Sequence, residues 1–313
     1  MKSYPFYQRS GLYGLCLSFL VLFSCQKEKK IETVVLEKVR EVTALDDTII
    51  WGKQLGDIEY FDNQIVLSNN ILGNVLIADT AYNFIRSFGN RGAGPGEFGD
   101  FCPDFIDKEN GIFFLGNIRT IEKYSEDGKY LGSIPYPKDM VPSTTGKFFV
   151  HDGLIYFPCF NIPFVSFNQN GQIIRKFEKE NTHGNDKKNR YTLIKVPDGI
   201  VMIGLFYPCM EKYSWDGVKT DEYKIDEIDE VKTCLAQNLP LPMLFKYAAY
   251  DNGVIYVALN YDNMILAFDV KKKIKLSAKY KTENTIYRVF GVYDKKIAIM
   301  NLMEATIDVF KIP

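Results

Sequence analysis

The sequence predicts an all-β protein, a six-bladed β-propeller of four-stranded antiparallel blades closed by an N-terminal strand. Three observations favour this fold. A short turn-and-strand motif recurs six times, a two-strand pattern follows the first five copies, and no long helical period is present. Aromatic residues make up 14% of the chain, which suits a β-rich protein.

The first motif is a turn of Asp, Asn or Gly followed by a short apolar run that alternates and is rich in Val, Ile, Tyr and Phe. Such runs are typical of strands, and Asp-Gly or Asn-Gly between two of them indicates a tight hairpin. The six copies are DNQIVLSN (62–69), ENGIFFLGN (109–117), HDGLIYF (151–157), PDGIVMIG (197–204), DNGVIYVALN (251–260) and DKKIAIMN (294–301).

A second pattern follows each of the first five copies: a strand, a polar turn and another strand, at 74–88, 120–134, 164–177, 210–223 and 264–280. Each unit therefore predicts one four-stranded blade of about 45 residues. The sixth copy, ATIDVFKI (305–312), ends after one strand. We expect ETVVLEKV (32–39) to supply the missing outer strand, because an unpaired edge exposes backbone groups. The alternative is that residues 31–40 are a disordered tether.

The N-terminal segment is typical of an export signal. Lys2 and Arg9 precede an apolar run of 13 residues (11–23), which is too short to span a bilayer. Ser24-Cys25 at its end resembles the lipobox of bacterial lipoproteins, which implies cleavage before Cys25 and its lipidation. We expect residues 1–24 to be a lipoprotein signal peptide, 25–30 a tether and 31–313 the propeller, lipid-anchored in a bacterial cell envelope. An ordinary signal peptide is the alternative.

Charge and composition exclude some classes of function. The formal net charge is −1, which argues against a nucleic-acid-binding protein with its basic surface. Two histidines leave little material for a multi-histidine metal centre. The sequence carries no GxSxG or HExxH pattern of a hydrolase.

The stretch FGNRGAGPGEF (88–98) resembles the inter-blade signature of NHL-type six-bladed propellers. It is similar in particular to bacterial six-bladed propeller lipoproteins of unassigned function, which share the lipidated cysteine and this glycine-rich connection. Two interpretations of the connection stay open. It is an inter-blade brace in which Glu97 accepts backbone N–H bonds, or it contacts a ligand through Arg91, Glu97 and Phe98.

Long connections between strands are expected on one face of the propeller, here called the long-loop face, and tight hairpin turns on the other, the tight-turn face. Binding usually uses long loops on a rigid scaffold. The candidate binding residues on the long-loop face are Asn117, Arg119, Phe160, Asn161, Tyr207, Tyr261, Asp262 and Glu304. The alternative is that the aromatic members of this set merely cover the core.

Four cysteines lie in the expected propeller: Cys102, Cys159, Cys209 and Cys234. An exported protein can form disulfides, so Cys159–Cys209 or Cys209–Cys234 are candidate pairs. Buried thiols are the alternative.

The sequence favours a non-enzymatic module that binds a glycan, a peptide or a protein through the long-loop face, with the membrane as a partner through the lipid and no cofactor. The alternative, implied by six-bladed propellers that are calcium-dependent lactonases or lyases, is an enzyme acting at the channel mouth. Asn69, Asn117, Asn260 and Asn301, at the ends of second strands, could then bind calcium. These asparagines could instead cap turns.

Overall fold

The computed structural model describes residues 31–46, 49, 55–99, 103–117, 119–138, 140, 143, 146–160, 162–177, 190–236, 244–260, 263–283 and 287–313. The expected signal peptide, Cys25 and its tether lie outside these residues. Thr33–Pro313 form one compact unit. Within the described part of the chain, no helix is both long and apolar enough to cross a membrane.

The strands form six sheets that follow one another along the chain, as the repeats predict. Blade one contains β3 (Leu55–Phe61), β4 (Gln64–Asn69), β5 (Asn74–Asp79) and β6 (Phe84–Phe88). Blade two contains β7 (Phe105–Glu109), β8 (Ile112–Gly116), β9 (Thr120–Ser125) and β10 (Tyr130–Pro135). Blade three contains β11 (Phe149–His151), β12 (Leu154–Pro158), β13 (Phe164–Phe167) and β14 (Ile173–Phe177).

The second half repeats the arrangement. Blade four contains β15 (Tyr191–Val196), β16 (Gly199–Gly204), β17 (Cys209–Tyr213) and β18 (Lys219–Lys224). Blade five contains β19 (Phe245–Asp251), β20 (Val254–Leu259), β21 (Met264–Asp269) and β22 (Lys275–Lys281). Blade six contains β23 (Tyr287–Tyr293), β24 (Lys296–Asn301) and β25 (Thr306–Lys311), completed by β2 (Glu37–Val42) from the N-terminal segment.

The first strand of each blade contacts the first strand of the next, and β23 contacts β3, so the six first strands form a closed ring around the axis. Buried apolar side chains fill the spaces between blades. Among the described residues they form six clusters, each shared by two neighbouring blades. Burial of this apolar surface between adjacent sheets is the main force that holds the ring together.

The hairpins between first and second strands have the geometry that their sequences predict. Asp152 and Gly153 have φ values of 51° and 72°, and Asn252 and Gly253 have φ values of 48° and 87°. Two consecutive residues with positive φ define a type I′ turn, which Asn-Gly and Asp-Gly adopt readily. These turns gather the ends of the first strands on the tight-turn face.

The N-terminal segment closes the ring, but its strand boundaries differ from those expected. Residues 37–42 pair antiparallel with β25 in blade six, while β1 (Thr33–Val35) pairs parallel with β22 in blade five. The expected strand 32–39 is therefore split between two blades. The break falls at Leu36, whose side chain is 4% exposed in the cluster between blades five and six.

A short helix that the sequence did not predict lies in the connection from blade four to blade five. A 3₁₀ turn (Ile225–Glu227) leads into α1 (Asp229–Ala236). Val231 packs into the core beside Ile225, and Glu230 forms an ion pair of 2.7 Å with Lys279. The apolar stripe of α1 is too short to stand out as a helical period in the sequence.

Candidate functional site

A cavity of about 390 Å³ lies on the axis, where the first strands reach the tight-turn face. First strands of five blades contribute to it, together with a turn of blade four. The lining residues are Glu59, Tyr60, Phe61, Ile106, Asp107, Lys147, Phe148, Phe149, His151, Leu193, Ile194, Lys195, Val196, Pro197, Trp215, Ala248, Ala249 and Tyr250. Its size falls within the range of small-molecule sites.

The inner end of the cavity carries a lysine held by two carboxylates. The Lys147 ammonium lies 2.8 Å from Oδ1 of Asp57 and also bonds Oε1 of Glu59. Burial by itself lowers the pKa of Lys147, but the two carboxylates outweigh it and raise that pKa, so the ammonium stays charged. The lysine thus occupies the place between these acids that a bound cation would take.

Asp57 is also a structural link between blades one and two. Its side chain is buried, and its two oxygens accept the backbone N–H groups of Ile58 and Ile106, each at 3.0 Å. Hydrogen bonds to a charged acceptor are among the stronger ones in proteins. Asp57 therefore fixes the position of the adjacent Lys147.

Asp107 makes the equivalent link from blade two to blade three. Its Oδ2 accepts the N–H of Val150 at 2.6 Å. Burial raises the pKa of Asp107 to about 6, against the opposing effects of that N–H and of the Lys195 ammonium. Lys195 in turn donates to the Val150 carbonyl at 2.6 Å.

Burial raises the pKa of Glu59 to about 7. The Lys147 ammonium opposes this shift, while the carboxylates of Asp57 and Asp107 add to it. Glu59 is thus a carboxyl that changes charge near neutral pH, in a cavity that a ligand can enter.

Aromatic rings form much of the wall. The His151 and Trp215 rings stack with centroids 3.6 Å apart, and Phe149 meets Trp215 edge-on at 6.1 Å. Tyr60, which also lines the cavity, stacks on Tyr293 with ring centroids 4.0 Å apart. These contacts hold the rings in defined orientations, so the wall is a preformed apolar surface.

Glu109, His151 and Asp152 present side-chain atoms within 4.8 Å of one another at the rim. Both oxygens of Glu109 accept backbone N–H groups of the neighbouring turn, from Asp152 at 2.9 Å and Gly153 at 3.1 Å. The donor set is therefore used to hold the turn, and we assign it a structural role.

The glycine-rich connection (88–98) has the geometry expected of an inter-blade brace. Glu97 Oε2 accepts the N–H of Gly94 at 2.6 Å, and Phe98 is buried between blades one and two beside Tyr124. Arg91 donates to the Asn70 carbonyl at 2.9 Å. The described contacts of Arg91, Glu97 and Phe98 are thus contacts within the protein, as the brace interpretation predicts.

Three of the four strand-end asparagines, Asn69, Asn117 and Asn301, cap turns with their side chains. Oδ1 of Asn69 accepts the N–H of Ile71 at 3.0 Å, and Oδ1 of Asn117 accepts that of Arg119 at 2.7 Å. Oδ1 of Asn301 accepts the N–H groups of Met303 at 3.0 Å and Glu304 at 3.4 Å. These amide oxygens do not fit a calcium site, because they already serve the turns.

The described members of the remaining long-loop candidates lie outside the lining of the axial cavity. Arg119 is exposed, Phe160 lies under the Arg190 guanidinium at 4.3 Å, and Tyr207 packs between blades three and four. Glu304 borders a groove of about 460 Å³ at the crossing from blade five to blade six. Asn161, Tyr261 and Asp262 lie outside the described residues.

Cys159 and Cys209 are both buried thiols, so the Cys159–Cys209 bridge that the sequence allowed is not formed. Burial raises the pKa of Cys159 to about 12, which keeps it protonated and unreactive. Cys102 and the Cys234 side chain lie outside the described residues.

Sequence reasoning missed the cavity residues, although a signal was present. When the repeats are aligned at their first hairpin, Glu59 pairs with Val66 and Asp107 with Phe114, the third pair from the turn in both blades. The same register in blades three, five and six holds Phe149, Ala249 and Gly291. Two acids at a repeat position that is otherwise apolar are the sequence signal that indicates the channel.

The fold and its axial cavity define a six-bladed β-propeller with a polar, aromatic-walled channel mouth. The chain belongs to the DUF5128 family of six-bladed beta-propellers, whose model matches residues 46–309. The comparison with curated proteins gave no significant sequence match.

Several solved structures share the fold. A Bacteroides fragilis NCTC 9343 protein, named as exported, superposes with a TM-score of 0.57 at 13% identity, covering 90% of this chain and 94% of that one. A catalytically inactive virginiamycin B lyase from Staphylococcus aureus, with quinupristin, gives 0.55 at 14% identity, covering 84% and 82%. A chain of a mitotic checkpoint complex gives 0.54 at 8% identity, covering 92% and 94%. At these identities the likeness shows the fold alone.

Proposed function

We propose that this chain is a lipid-anchored propeller of the bacterial cell envelope that acts as a non-enzymatic binding module, and that its ligand occupies the axial cavity. The cavity carries this proposal: aromatic walls and a few charged groups converge there on rigid strands, as in small-molecule sites. This places binding on the tight-turn face, whereas the sequence favoured the long-loop face. The long-loop candidates support binding less well, because their described contacts are structural.

The groove beside Glu304 is a weaker candidate although it is larger. Its lining is mostly charged, with Phe310 as its aromatic residue. The acids there bind neighbours: Asp308 accepts from Asn301 at 3.2 Å and from Thr306 at 3.2 Å, and lies 3.6 Å from the Lys38 ammonium. These pairs fasten the N-terminal strand to blade six.

The enzymatic alternative, a calcium-dependent lactonase or lyase, has less support. The asparagine oxygens that would bind calcium cap turns, and a lysine lies between the acids on the axis. A carboxyl that titrates near neutral pH suits a binding site as well as a catalytic one.

Fluorescence titration tests the binding site. Trp51 and Trp215 are the two tryptophans of the sequence, and a Trp51→Phe background leaves Trp215, in the cavity wall, as the single reporter. We expect a small-molecule library containing glycan fragments and short peptides to yield compounds that shift its emission saturably. An Ala249→Phe variant, which fills the cavity, should abolish the response, whereas Ile174→Phe on the exposed outer strand of blade three should not. A saturable response that survives Ala249→Phe would place binding elsewhere.

The lipid anchor rests on the sequence around Cys25 and needs its own test. Intact-mass analysis of the chain purified from membranes should give the mass of residues 25–313 plus that of the attached acyl groups. A Cys25→Ser variant should lose the modification and leave the detergent phase in Triton X-114 partition. Cys16→Ser, within the expected signal peptide, is the matched control and should behave like the wild type.

A further inference from the structure

The charges around the cavity are out of balance. Its inner end holds the carboxylates of Asp57, Glu59 and Asp107 with the Lys147 ammonium as the cation in direct contact. Lys195 is the next cation, but its ammonium donates to the Val150 carbonyl and lies 3.8 Å from Glu109. The cluster therefore has more carboxylates than ammonium groups, in a partly buried place where excess charge is costly.

The lysines are poorly placed to receive an anionic ligand. Lys147 is held by two carboxylates, so an incoming anion would compete with both and face their repulsion. Glu59 is different: within the described part of the chain its bond to Lys147 uses Oε1 and leaves Oε2 for a ligand, and its side chain is 25% exposed. An incoming positive charge would compensate Glu59 and Asp107 together, since their carboxylates are close enough to repel one another.

The wall adds a second feature that suits a cation. Aromatic residues line the same cavity as Glu59 and Asp107, among them Tyr60, Phe149, Trp215 and Tyr250. Aromatic faces attract ammonium and guanidinium groups, with tryptophan the strongest partner. Aromatic rings combined with surplus carboxylate recognise an organic cation better than a neutral or acidic molecule.

We propose that the axial cavity takes a ligand bearing an ammonium or guanidinium group, whose positive charge lies between the Glu59 and Asp107 carboxylates and whose carbon skeleton packs on the aromatic wall. This inference rests on the proposed binding function and names its ligand class.

Binding of such a ligand is coupled to proton release. Asp57, Asp107 and Lys147 face Glu59, with Lys195, Glu109 and His151 further toward the rim. A bound cation favours ionised Glu59 and Asp107, whose pKa values are raised by burial to about 7 and about 6. The ligand therefore displaces protons between pH 6 and 7, and its affinity rises with pH across that window.

Three probes of matched shape test the ligand class: phenethylamine, 2-phenylethanol and 3-phenylpropionate, which are a cation, a neutral molecule and an anion at pH 7. The readouts are Trp215 emission in the Trp51→Phe chain and titration calorimetry in two buffers of different ionisation enthalpy. We expect the amine to bind at least about tenfold more tightly than either analogue, because the charge adds to an equal apolar contact. The wild type should release protons on binding the amine at pH 6.5.

The variant arm uses Glu59→Gln, which should weaken amine binding about tenfold and leave the alcohol unchanged. Asp294→Asn, an exposed acid on the same face, is the matched control and should leave both unchanged. Circular dichroism checks that both variants fold, and the proton-release measurement on the wild type needs no variant. Equal or tighter binding of the alcohol or the anion, with a Trp215 response, overturns the cation inference and leaves the cavity a binding site. If no probe at about 10 mM perturbs Trp215, the proposed binding function fails as well.

Discussion

The ammonium nitrogen of Lys147 lies 2.8 Å from Oδ1 of Asp57, a carboxylate that also receives two backbone N–H groups from blades one and two. Asp57 is 1% exposed. The pair therefore joins the floor of the cavity to the packing between two blades, and its loss affects stability as well as binding.

Replacing Lys147 with Met should lower the free energy of unfolding by about 3–5 kcal/mol, because it leaves Asp57 buried and uncompensated. Urea denaturation followed by circular dichroism measures the change. Lys272→Met removes an exposed lysine of the same charge and should change stability by less than about 0.5 kcal/mol. A Lys147→Met chain as stable as this control would show that the ion pair contributes no net stability.

Stability should depend on pH through Glu59. The pKa of Glu59 is about 7 in the folded chain, whereas the usual glutamate value of 4.5 applies to the unfolded chain. The folded state therefore holds this proton more tightly. The stabilisation that protonated Glu59 contributes is full below pH 4.5 and disappears as the pH rises through 7, and it amounts to about 3 kcal/mol in total. Urea midpoints measured from pH 4.5 to 8 should fall less steeply for Glu59→Gln than for the wild type. Asp294→Asn should retain the wild-type slope, and parallel slopes for all three chains would contradict the assignment.

The fold could be predicted because its determinants are local. Turn residues such as Asp152-Gly153 and Asn252-Gly253 set the hairpins, and the apolar alternation after them sets the strands. The cavity could not be predicted in the same way. Lys147 precedes the first strand of blade three and meets Glu59 only because ring closure brings blades one and three to a common axis. That meeting of residues 88 positions apart has no local signature.

The boundaries of the N-terminal strands also depend on tertiary contacts that the local sequence does not show. The alternation in residues 32–39 predicted that this segment pairs with blade six, and it does, but the division between β1 and β2 depends on where Leu36 finds a buried position. A packing site formed by blades five and six together is a tertiary property, so the strand boundaries could not be derived from alternation alone.

Leu36→Ala should destabilise the chain by about 2–4 kcal/mol, because it leaves a cavity where the N-terminal segment closes the ring. Val35→Ala is the matched control, since the neighbouring Val35 is 63% exposed, and should change the free energy of unfolding by less than about 1 kcal/mol. Thermal and urea denaturation of the two variants give the comparison. Equal effects would show that the closing segment contributes little through Leu36.

The brace role of the glycine-rich connection predicts a stability effect without a binding effect. Phe98→Ala should cost about 3–5 kcal/mol, because the ring is buried between blades one and two. Glu97→Ala should cost about 1–2 kcal/mol through loss of its bond from the Gly94 N–H. At a temperature where both variants are folded, ligands of the axial cavity should bind with wild-type affinity. Weaker binding by Glu97→Ala would favour the alternative interpretation, a ligand-contacting loop.

Calcium should leave the thermal midpoint unchanged, in contrast to a calcium-dependent propeller enzyme. The amide oxygens of Asn69, Asn117 and Asn301 accept backbone N–H groups, and the Lys147 ammonium occupies the position between Asp57 and Glu59. A divalent ion would have to break these bonds before it gained ligands, and calcium prefers six to eight oxygens. Melting curves with calcium, with magnesium and with EDTA test this directly. A large rise in the midpoint with calcium, reversed by EDTA and absent with magnesium, would support the enzymatic alternative and place the metal among residues other than these asparagines.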